Sequence, residues 1–220
     1  MPPSLAIFDL DGTLVDSAAD LAAAINAMLA DFGREPLPVA EVRLMIGDGV
    51  PRLVARALAA RHCQAADPTA AERAFMRHYE SGATTLTTAF PGAAAALQAL
   101  RAEGIPLAVC TNKPARISAD ILGRLGLAAH FERVIGGDSL PFRKPDPRVL
   151  LALTEAFAVR PDASLLVGDS EVDAATARAA GVPFVLMKHG YRRGPVEQIP
   201  CLAALESFGE LPPLVRAMPR

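Results

Sequence analysis

The stretch Phe8-Asp9-Leu10-Asp11-Gly12-Thr13-Leu14-Val15-Asp16 places two carboxylates two residues apart, directly after the first apolar run of the chain, Leu5-Ala6-Ile7-Phe8. In an extended strand, side chains two residues apart share one face. The apolar run followed by a glycine predicts a buried strand whose carboxyl end delivers Asp9 and Asp11 into a turn, where open α/β sheets bind their ligands. The same pattern is also typical of a solvated turn after a strand, so the rest of the chain has to decide between the two interpretations.

The composition indicates a globular protein with a small-molecule partner. The chain has 220 residues, 51% of them hydrophobic, which is enough for one large core or for one core with a smaller dependent domain. The net charge is −2 and no basic run occurs, so we expect neither nucleic acid nor a membrane surface as a partner. The chain reaches Asp9 too soon for a signal peptide, and no apolar run could cross a bilayer, which predicts a cytoplasmic protein.

Two scarce residue types are informative. The cysteines are Cys63, Cys110 and Cys201. They are odd in number, far apart and without CxxC spacing, so we predict buried free thiols in a reducing compartment rather than disulfides or a zinc site. The basic residues are nearly all arginine, which makes each lysine worth attention. The lysines are Lys113, Lys144 and Lys188.

A helical stretch follows the first strand. Ser17-Ala18-Ala19-Asp20 resembles a capping box, and apolar residues then recur at helical spacing. Further helices are predicted after it, the last of them starting at Asp67-Pro68, an N-cap followed by proline. We therefore expect residues 16–89 to be entirely helical and to form a domain inserted into a core made of residues 1–15 and 90–220.

The rest of the chain alternates between strands and helices. Apolar runs at 106–110, 131–135, 164–167 and 182–187 are predicted strands, and a weaker one follows Cys201. The segments between them have helical periodicity, and several end in glycine. Strands separated by helices imply right-handed crossovers, so the predicted fold class is α/β, a Rossmann-like parallel sheet core with an inserted all-helical cap.

Three later strand ends also carry polar clusters, and parallel strands bring their carboxyl ends to one edge of a sheet. Thr111-Asn112 offers a hydroxyl and amides that suit phosphate oxygens, although it is also typical of a plain helix N-cap. Lys144 lies among prolines that restrict its direction, although a surface loop is the usual interpretation. Asp169 and Asp173 are one helical turn apart and could face the same cleft, although each could simply cap a helix.

The order of these clusters resembles the four motifs of the haloacid dehalogenase superfamily. The matching segments are Asp9-Leu10-Asp11-Gly12-Thr13, Thr111-Asn112, Lys144-Pro145 and Gly168-Asp169-Ser170 with Asp173. A narrower set resembles the bacterial phosphoglycolate phosphatase branch of that superfamily. Its segments are Ile46-Gly47-Asp48-Gly49, Thr111-Asn112-Lys113-Pro114, Ile135-Gly136-Gly137-Asp138 and His189-Gly190-Tyr191. The resemblance spans the core and implies that the helical insert is a small cap.

The resemblance implies a role for each cluster. Asp9 would attack phosphorus and form an aspartyl phosphate, and Asp11 would protonate the leaving alkoxide and later deprotonate a water molecule. Lys144 would neutralise charge on both the nucleophile and the phosphate. The phosphoryl oxygens would be held by Thr111, Asn112, Lys144 and Gly12.

The resemblance also implies a magnesium site. Asp169, Asp9 and the main-chain carbonyl of Asp11 would supply oxygen ligands, while Asp173 and Ser170 would support the site from behind. The charges agree, because four carboxylates face one lysine where a phosphate dianion must enter. Each close pair of like charges costs about 4 kcal/mol at about 4 Å and a dielectric constant of about 20. A divalent cation is therefore expected to be required.

The function implied is that of a Mg²⁺-dependent phosphoric monoester hydrolase. Its small phosphomonoester is expected to be 2-phosphoglycolate, with glycolate and phosphate as products. Gly49 would help to hold the substrate carboxylate through amides at a helix start, although Gly47-Asp48-Gly49 is also typical of an interhelical turn. A sugar-phosphate phosphatase or phosphomutase is the alternative, and a non-catalytic ligand-binding regulator is a more remote one. We expect a monomer or a homodimer.

Overall fold

The centre of the fold is a six-stranded parallel sheet. The computed structural model describes residues 3–63, 67–82 and 85–218. In chain order its strands are β1 Leu5–Phe8, β2 Val15–Asp16, β3 Thr88–Ala89, β4 Leu107–Cys110, β5 Arg133–Ile135, β6 Ser164–Gly168, β7 Phe184–Met187 and β8 Ala203–Leu205. The sheet has the order β5-β4-β1-β6-β7-β8 with every neighbouring pair parallel, and β2 and β3 form a separate ribbon. The predicted α/β fold class is confirmed.

Strand β1 occupies the middle of the sheet. Ile7 lies opposite Ala108 of β4 on one side and Leu166 of β6 on the other. All residues of β1 are buried, because helices cover both faces of a parallel sheet. Phe8 packs into one hydrophobic layer and Ile7 into the opposite one, as the alternation of a strand requires. The central position of β1 places Asp9 at the middle of the carboxyl edge.

In chain order the helices are α1 Ala18–Asp31, α2 Val39–Arg43, α3 Val50–Ala60, α4 Pro68–Gly82, α5 Ala93–Ala102, α6 Ala115–Arg124, α7 Arg148–Ala156, α8 Glu171–Ala180 and α9 Leu211–Ala217. Helices α5 to α9 pack on the two faces of the sheet, and helices α1 to α4 form the insert. The buried side chains of α7 and α8 belong to one hydrophobic layer, and those of α5, α6 and α9 belong to the other. In the described part of the chain, no helix combines the length and the apolar character that crossing a membrane requires.

The helical insert is joined to the core by two short strands. Val15 pairs with Ala89, and Asp16 pairs with Thr88, in an antiparallel ribbon. The prediction that residues 16–89 are all helix is therefore wrong at both ends, because two-residue strands are too short to carry an alternating pattern. Helices α1 to α4 lie between the strands, as expected.

The extent of the cap and of the core stays a prediction. The cap range includes residues 64–66 and 83–84, and the core range includes residues 1–2 and 219–220, all of which lie outside the described residues. The start of α4 agrees with the N-cap that the sequence predicts at Asp67. The Thr69 amide donates to Oδ1 of Asp67 at 3.0 Å, as an N-cap requires.

The predicted capping box at the start of α1 is wrong. Ser17 is the N-cap residue, but its hydroxyl donates to Oδ1 of Asp11 at 2.5 Å instead of capping the helix. The Asp20 carboxylate accepts from the amides of Leu86 and Thr87. The amide of Ser17 donates to the hydroxyl of Tyr191 at 2.8 Å. Tertiary partners have thus replaced the local bonds that the sequence pattern predicts.

The cysteine prediction is confirmed in part. All three cysteines are free thiols, and Cys63 and Cys110 are buried. Cys201 is exposed, so the prediction is wrong for this residue. It precedes β8, which lies at the edge of the sheet, where one side of the strand has no neighbour to cover it.

Candidate active site

Asp9 follows the central strand and is a buried acidic group of the site. Its amide donates to the carbonyl of Val167 in β6 at 2.9 Å, which continues the pairing of the two strands beyond Phe8. Nζ of Lys144 lies 2.8 Å from Oδ1 of Asp9. Burial raises the pKa of Asp9 to about 7, although Lys144 opposes this shift and Asp173 adds to it. The carboxylate is thus poorly solvated and has one close cation.

Lys144 is held between two carboxylates. Its ammonium lies 2.8 Å from Asp9 and 2.6 Å from Asp173, and the side chain is almost completely buried. The Asn112 side chain donates to the carbonyl of Lys144 at 2.9 Å, which fixes the loop that carries it. Burial disfavours the charged form of Lys144, but Asp173 and Asp9 outweigh it, so its pKa is raised and the ammonium stays charged. The interpretation of Lys144 as part of an ordinary surface loop is excluded by its burial.

Asp169 and Asp173 join Asp9 in a buried acidic cluster. One carboxylate oxygen from each of the three lies within 4.8 Å of the others. Burial, followed by repulsion from Asp173 and Asp9, raises the pKa of Asp169 well above its usual range. Thr13 donates its hydroxyl to Asp169 at 2.8 Å, and the Tyr191 amide donates to it at 2.5 Å. Three crowded oxygen donors of this kind fit a hard divalent cation such as Mg²⁺.

Asp173 is completely buried and is not among the residues that line the pocket above Asp9. Its Oδ1 accepts from Lys144, and its Oδ2 accepts from the hydroxyl and the amide of Ser170 at 2.6 and 3.1 Å. Ser170 and Asp173 also form a capping box that begins α8. Asp173 therefore caps the helix and contacts Lys144 at the same time, because a different oxygen of its carboxylate serves each role.

Asp11 pairs with Lys113, a contact that the sequence does not predict. Nζ of Lys113 lies 2.7 Å from Oδ1 and 2.9 Å from Oδ2 of Asp11. The Lys113 side chain is 2% exposed and that of Asp11 is 12% exposed. Four carboxylates therefore face two lysines, not one, and the excess of negative charge is one unit smaller than the sequence suggests. The scarcity of lysine was the available signal, because Lys113 is one of only three.

The residues expected to bind phosphate have additional partners. Thr111 is buried at the end of β4, and its hydroxyl accepts from the Lys113 amide at 3.2 Å. The Asn112 side chain donates to the carbonyls of Gly47 and Lys144, so it ties the cap to the core. The amide of Gly12 donates to the carbonyl of Val15 at 2.9 Å and is therefore engaged within its own turn.

The cap closes one side of a pocket above Asp9. The pocket measures about 440 Å³ when the part open to solvent is included. Its core side is lined by Asp9, Asp11, Thr111, Asn112, Lys113 and Pro114. Its cap side is lined by Leu21, Ile46, Gly47, Gly49, Val50, Leu53 and Tyr79. Both domains of the predicted division thus contribute side chains to one small pocket.

Two cap features at this pocket differ in how well the sequence anticipates them. Gly49 is the N-cap residue of α3 at φ +85°, and because glycine has no side chain, it cannot itself cap the first amides of the helix. Tyr79 of α4 reaches the pocket as well, although the sequence indicates only a core helix position. Its ring centroid lies 5.0 Å from Nζ of Lys113. Nothing in the local pattern around Tyr79 distinguishes it from a residue of the cap interior.

The comparisons with known proteins agree with this geometry. A phosphoglycolate phosphatase of Cereibacter sphaeroides is 49% identical over 217 residues, which cover 96% of this chain and 97% of the relative. A phosphoglycolate phosphatase of Rhodospirillum rubrum is 46% identical over 215 residues, which cover 95% of this chain and 89% of the relative. The crystal structure of a predicted phosphoglycolate phosphatase from Haemophilus somnus matches with a TM-score of 0.93 at 32% identity, covering 97% of this chain and 98% of that one. A family model for haloacid dehalogenase-like hydrolases matches residues 3–181, and the chain belongs to this family.

Proposed function

We propose that this chain is a Mg²⁺-dependent phosphatase that hydrolyses 2-phosphoglycolate to glycolate and phosphate. The observation that carries the proposal is the pairing of buried Asp9 with Lys144 at 2.8 Å, at the base of a pocket that Asp11 also lines. A nucleophile and a proton donor are thus presented to one small ligand. The relatives from Cereibacter sphaeroides and Rhodospirillum rubrum, which are phosphoglycolate phosphatases, support the choice of substrate.

The reaction proceeds in two displacements at phosphorus. In the first, a carboxylate oxygen of Asp9 attacks phosphorus, the bond to the ester oxygen breaks, and Asp11 gives its proton to the departing alkoxide. In the second, Asp11 takes a proton from a water molecule whose oxygen attacks phosphorus, and the bond between phosphorus and Asp9 breaks. Phosphate leaves, and both carboxyl groups return to their starting states.

The groups around Asp9 hold the phosphoryl group in place during these steps. Lys144 neutralises charge on the nucleophile and on the phosphoryl oxygens, and Asp173 with Ser170 keeps its ammonium directed at Asp9. Thr111 donates its hydroxyl to a phosphoryl oxygen, and Asn112 donates its backbone amide. Because the Gly12 amide is bonded to Val15, we assign Gly12 a close backbone approach to the site rather than a hydrogen bond to phosphate.

The acidic cluster is suited to hold the metal. Asp9, Asp169 and the main-chain carbonyl of Asp11 would bind Mg²⁺, with Asp173 behind them. The support is the crowding of buried carboxylate oxygens within 4.8 Å, which leaves negative charge that the two lysines do not balance. When bound, Mg²⁺ supplies positive charge that lets a phosphate dianion approach these carboxylates.

The cap, which we take as residues 16–89, excludes water and selects the leaving group. The β2–β3 ribbon is where it joins the core, and we assign the hinges to this ribbon. The amides at the start of α3, beyond Gly49, face the substrate carboxylate. The contact of Asn112 with the carbonyl of Gly47 at 3.0 Å keeps this turn against the core.

The proposal also covers the partner, the oligomeric state and the compartment of the protein. The partner is a small phosphomonoester, and neither nucleic acid nor a membrane is assigned. The protein acts as a monomer or a homodimer in the cytoplasm.

Replacement of the nucleophile tests the proposal. Asp9→Asn keeps the size of the side chain, so we expect it to fold while phosphate release falls by about 10⁴-fold or more. The matched control is Asp162→Asn, because Asp162 is 60% exposed, pairs with Arg160 and precedes β6 at the opposite edge of the sheet. Substantial phosphate release by Asp9→Asn would exclude this mechanism. Tight ligand binding by the wild type without phosphate release would favour a regulator.

A panel of small phosphomonoesters tests the choice of substrate. We expect 2-phosphoglycolate to have the highest kcat/KM, because its carboxylate reaches the cap side of the pocket. The ranking is measured with the wild-type protein in the presence of Mg²⁺. A panel led by sugar phosphates would contradict the assignment and favour a sugar-phosphate phosphatase of the same family.

A further inference from the structure

The hydroxyl of Tyr79 is a buried polar group for which the described residues offer no hydrogen-bond partner of ordinary geometry. Tyr79 is 1% exposed, and its ring stacks on Phe75 with a centroid distance of 5.3 Å. The Lys113 ammonium lies close enough to interact with this hydroxyl, but outside the geometry of an ordinary hydrogen bond. A buried hydroxyl normally finds a partner, because burial removes the bonds that it makes to water. A hydroxyl without such a partner, on a residue that lines the pocket, is therefore a group that a ligand could satisfy.

Lys113 adds charge to the same corner of the pocket. Of the described residues that line the pocket, Lys113 is the one cationic side chain, since Lys144 lies behind Asp9. Its Nζ lies 5.0 Å from the centroid of the Tyr79 ring and contacts Asp11 on its other side. The ammonium is thus placed between the proton donor of the reaction and the cap.

Both groups in this corner act as donors near neutral pH. Burial raises the pKa of Tyr79 to about 12, although Lys113 opposes the shift, so the phenol keeps its proton. Burial disfavours the charge on Lys113, but Asp11 outweighs it and raises the pKa of the lysine above its usual range. A neutral hydroxyl beside an ammonium group complements an anionic acceptor.

We propose that Tyr79 and Lys113, together with the amides at the start of α3, form the subsite that recognises the substrate carboxylate, with Tyr79 as a specificity-determining residue. The proposal rests on the proposed function, because it assigns the end of 2-phosphoglycolate that does not react. The phosphoryl group occupies the side of Asp9 and Lys144, and the leaving group points past Asp11 toward the cap. A carboxylate there accepts from the Tyr79 hydroxyl and lies beside the Lys113 ammonium.

The placement of Tyr79 also links recognition to cap position. Tyr79 belongs to α4 of the cap, whereas Lys113 follows β4 of the core. A carboxylate held by both residues bridges the two parts of the protein. A substrate that lacks this group makes neither contact, so it loses binding without any change at the phosphoryl end.

The test compares two substrates that differ at this group. The probes are 2-phosphoglycolate and ethyl phosphate, which keeps two carbons but has a methyl group in place of the carboxylate. We expect Tyr79→Phe to lower the ratio of their kcat/KM values by about tenfold, the typical effect of losing a hydrogen bond to a charged group. The loss should appear mainly as a higher KM for 2-phosphoglycolate, because the bond is present before and during the reaction.

The chain offers a matched control in its other tyrosine. Tyr191 also loses a buried hydroxyl in Tyr191→Phe, but it contacts Ser17 and Asp16 and does not line the pocket. We expect the substrate ratio of this variant to equal that of the wild type, whatever happens to its turnover. Tyr79→Phe should melt close to the wild type, because among the described residues the hydroxyl that it loses has no hydrogen-bond partner of ordinary geometry.

A second variant keeps the proposal testable if Tyr79→Phe folds poorly. Lys113→Met should also lower the substrate ratio, by more than Tyr79→Phe, and Lys113→Arg should recover part of the loss because it restores the charge. A folded Tyr79→Phe protein with the wild-type ratio would overturn the role of Tyr79. If instead the wild type itself does not prefer 2-phosphoglycolate to ethyl phosphate, then the proposed substrate fails, and the subsite fails with it.

Discussion

Nζ of Lys113 lies 2.7 Å from Oδ1 of Asp11, and the two side chains are 2% and 12% exposed. Lys113→Met removes the charge but keeps most of the length of the side chain, so it leaves the Asp11 carboxylate with the Ser17 hydroxyl alone. Removing one partner of a buried ion pair leaves an uncompensated charge, and we expect a loss of about 3 kcal/mol in the free energy of unfolding. Urea unfolding with the folded and unfolded baselines defined measures this change.

The third lysine of the chain is the control for this prediction. Lys188 pairs with Glu206 at 2.7 Å, but Glu206 is 73% exposed and solvent screens the pair. Lys188→Met should therefore leave the unfolding midpoint close to that of the wild type. If the two variants lost the same free energy of unfolding, then burial of the pair between Lys113 and Asp11 would not increase its contribution to stability.

The raised pKa of Asp9 makes metal binding dependent on pH. In the metal-free protein burial raises this pKa from 3.8 to about 7, so ionising Asp9 in the folded state is unfavourable. The contribution that this shifted pKa makes to the free energy of unfolding is fully present below pH 3.8, and it is lost as the pH rises through about 7. A metal ligand must be deprotonated, so Mg²⁺ has to displace a proton below pH 7.

The apparent affinity for Mg²⁺ should therefore rise with pH through about 7 as Asp9 ionises, and the raised pKa of Asp169 adds to this pH dependence. Isothermal titration calorimetry in buffers with different heats of ionisation measures both the affinity and the protons released. We expect the proton release that comes from Asp9 to diminish above pH 7. An affinity that does not change across this range, with no proton release, would contradict a site built on Asp9.

Gly12 is confined by Asp169 as well as by its backbone conformation. It has φ +85°, and a Cβ at this position would lie 2.9 Å from Cγ of Asp169 and closer still to its Oδ2. Gly12→Ala should therefore displace Asp169 and reduce both Mg²⁺ affinity and turnover. Gly104→Ala separates the effect of the backbone conformation from the effect of the contact with Asp169. Gly104 has φ +77°, but among the described residues no heavy atom beyond its chain neighbours lies within 4 Å of its Cβ position.

We expect Gly104→Ala to lose about 1–2 kcal/mol of stability, the usual penalty for the left-handed region, and to retain wild-type kcat. Gly12→Ala should lose more stability than this and most of its activity. Thermal unfolding and phosphate release are measured on both variants. Similar activity in the two would show that contact with Asp169 is not what requires glycine at position 12.

The sequence predicts the acidic cluster well, because its geometry follows from local rules. Asp9 comes directly after an apolar run, and Asp169 follows another. Parallel strands connected by helices bring such ends to one edge of the sheet. The spacing of Asp169 and Asp173 then places both near the start of α8, as the structure has them.

The contacts that the sequence does not predict join distant parts of the chain. Lys113 meets Asp11 across 102 positions, and the Tyr191 hydroxyl accepts from the Ser17 amide across 174. Neither pairing has a local pattern, because each depends on how the cap and the loops pack onto the sheet. The same is true of Tyr79, whose missing hydrogen bond becomes visible only when its surroundings are known.

The central claim is that Asp9 carries the phosphoryl group during turnover. Borohydride reduces an acyl phosphate on an aspartate to homoserine, so the intermediate can be trapped by adding it while 2-phosphoglycolate is being hydrolysed in the presence of Mg²⁺. Peptide mass spectrometry then locates the modified residue. We predict homoserine at position 9 only when substrate is present. Continued phosphate release with unmodified Asp9, or modification at another carboxylate, would contradict the account.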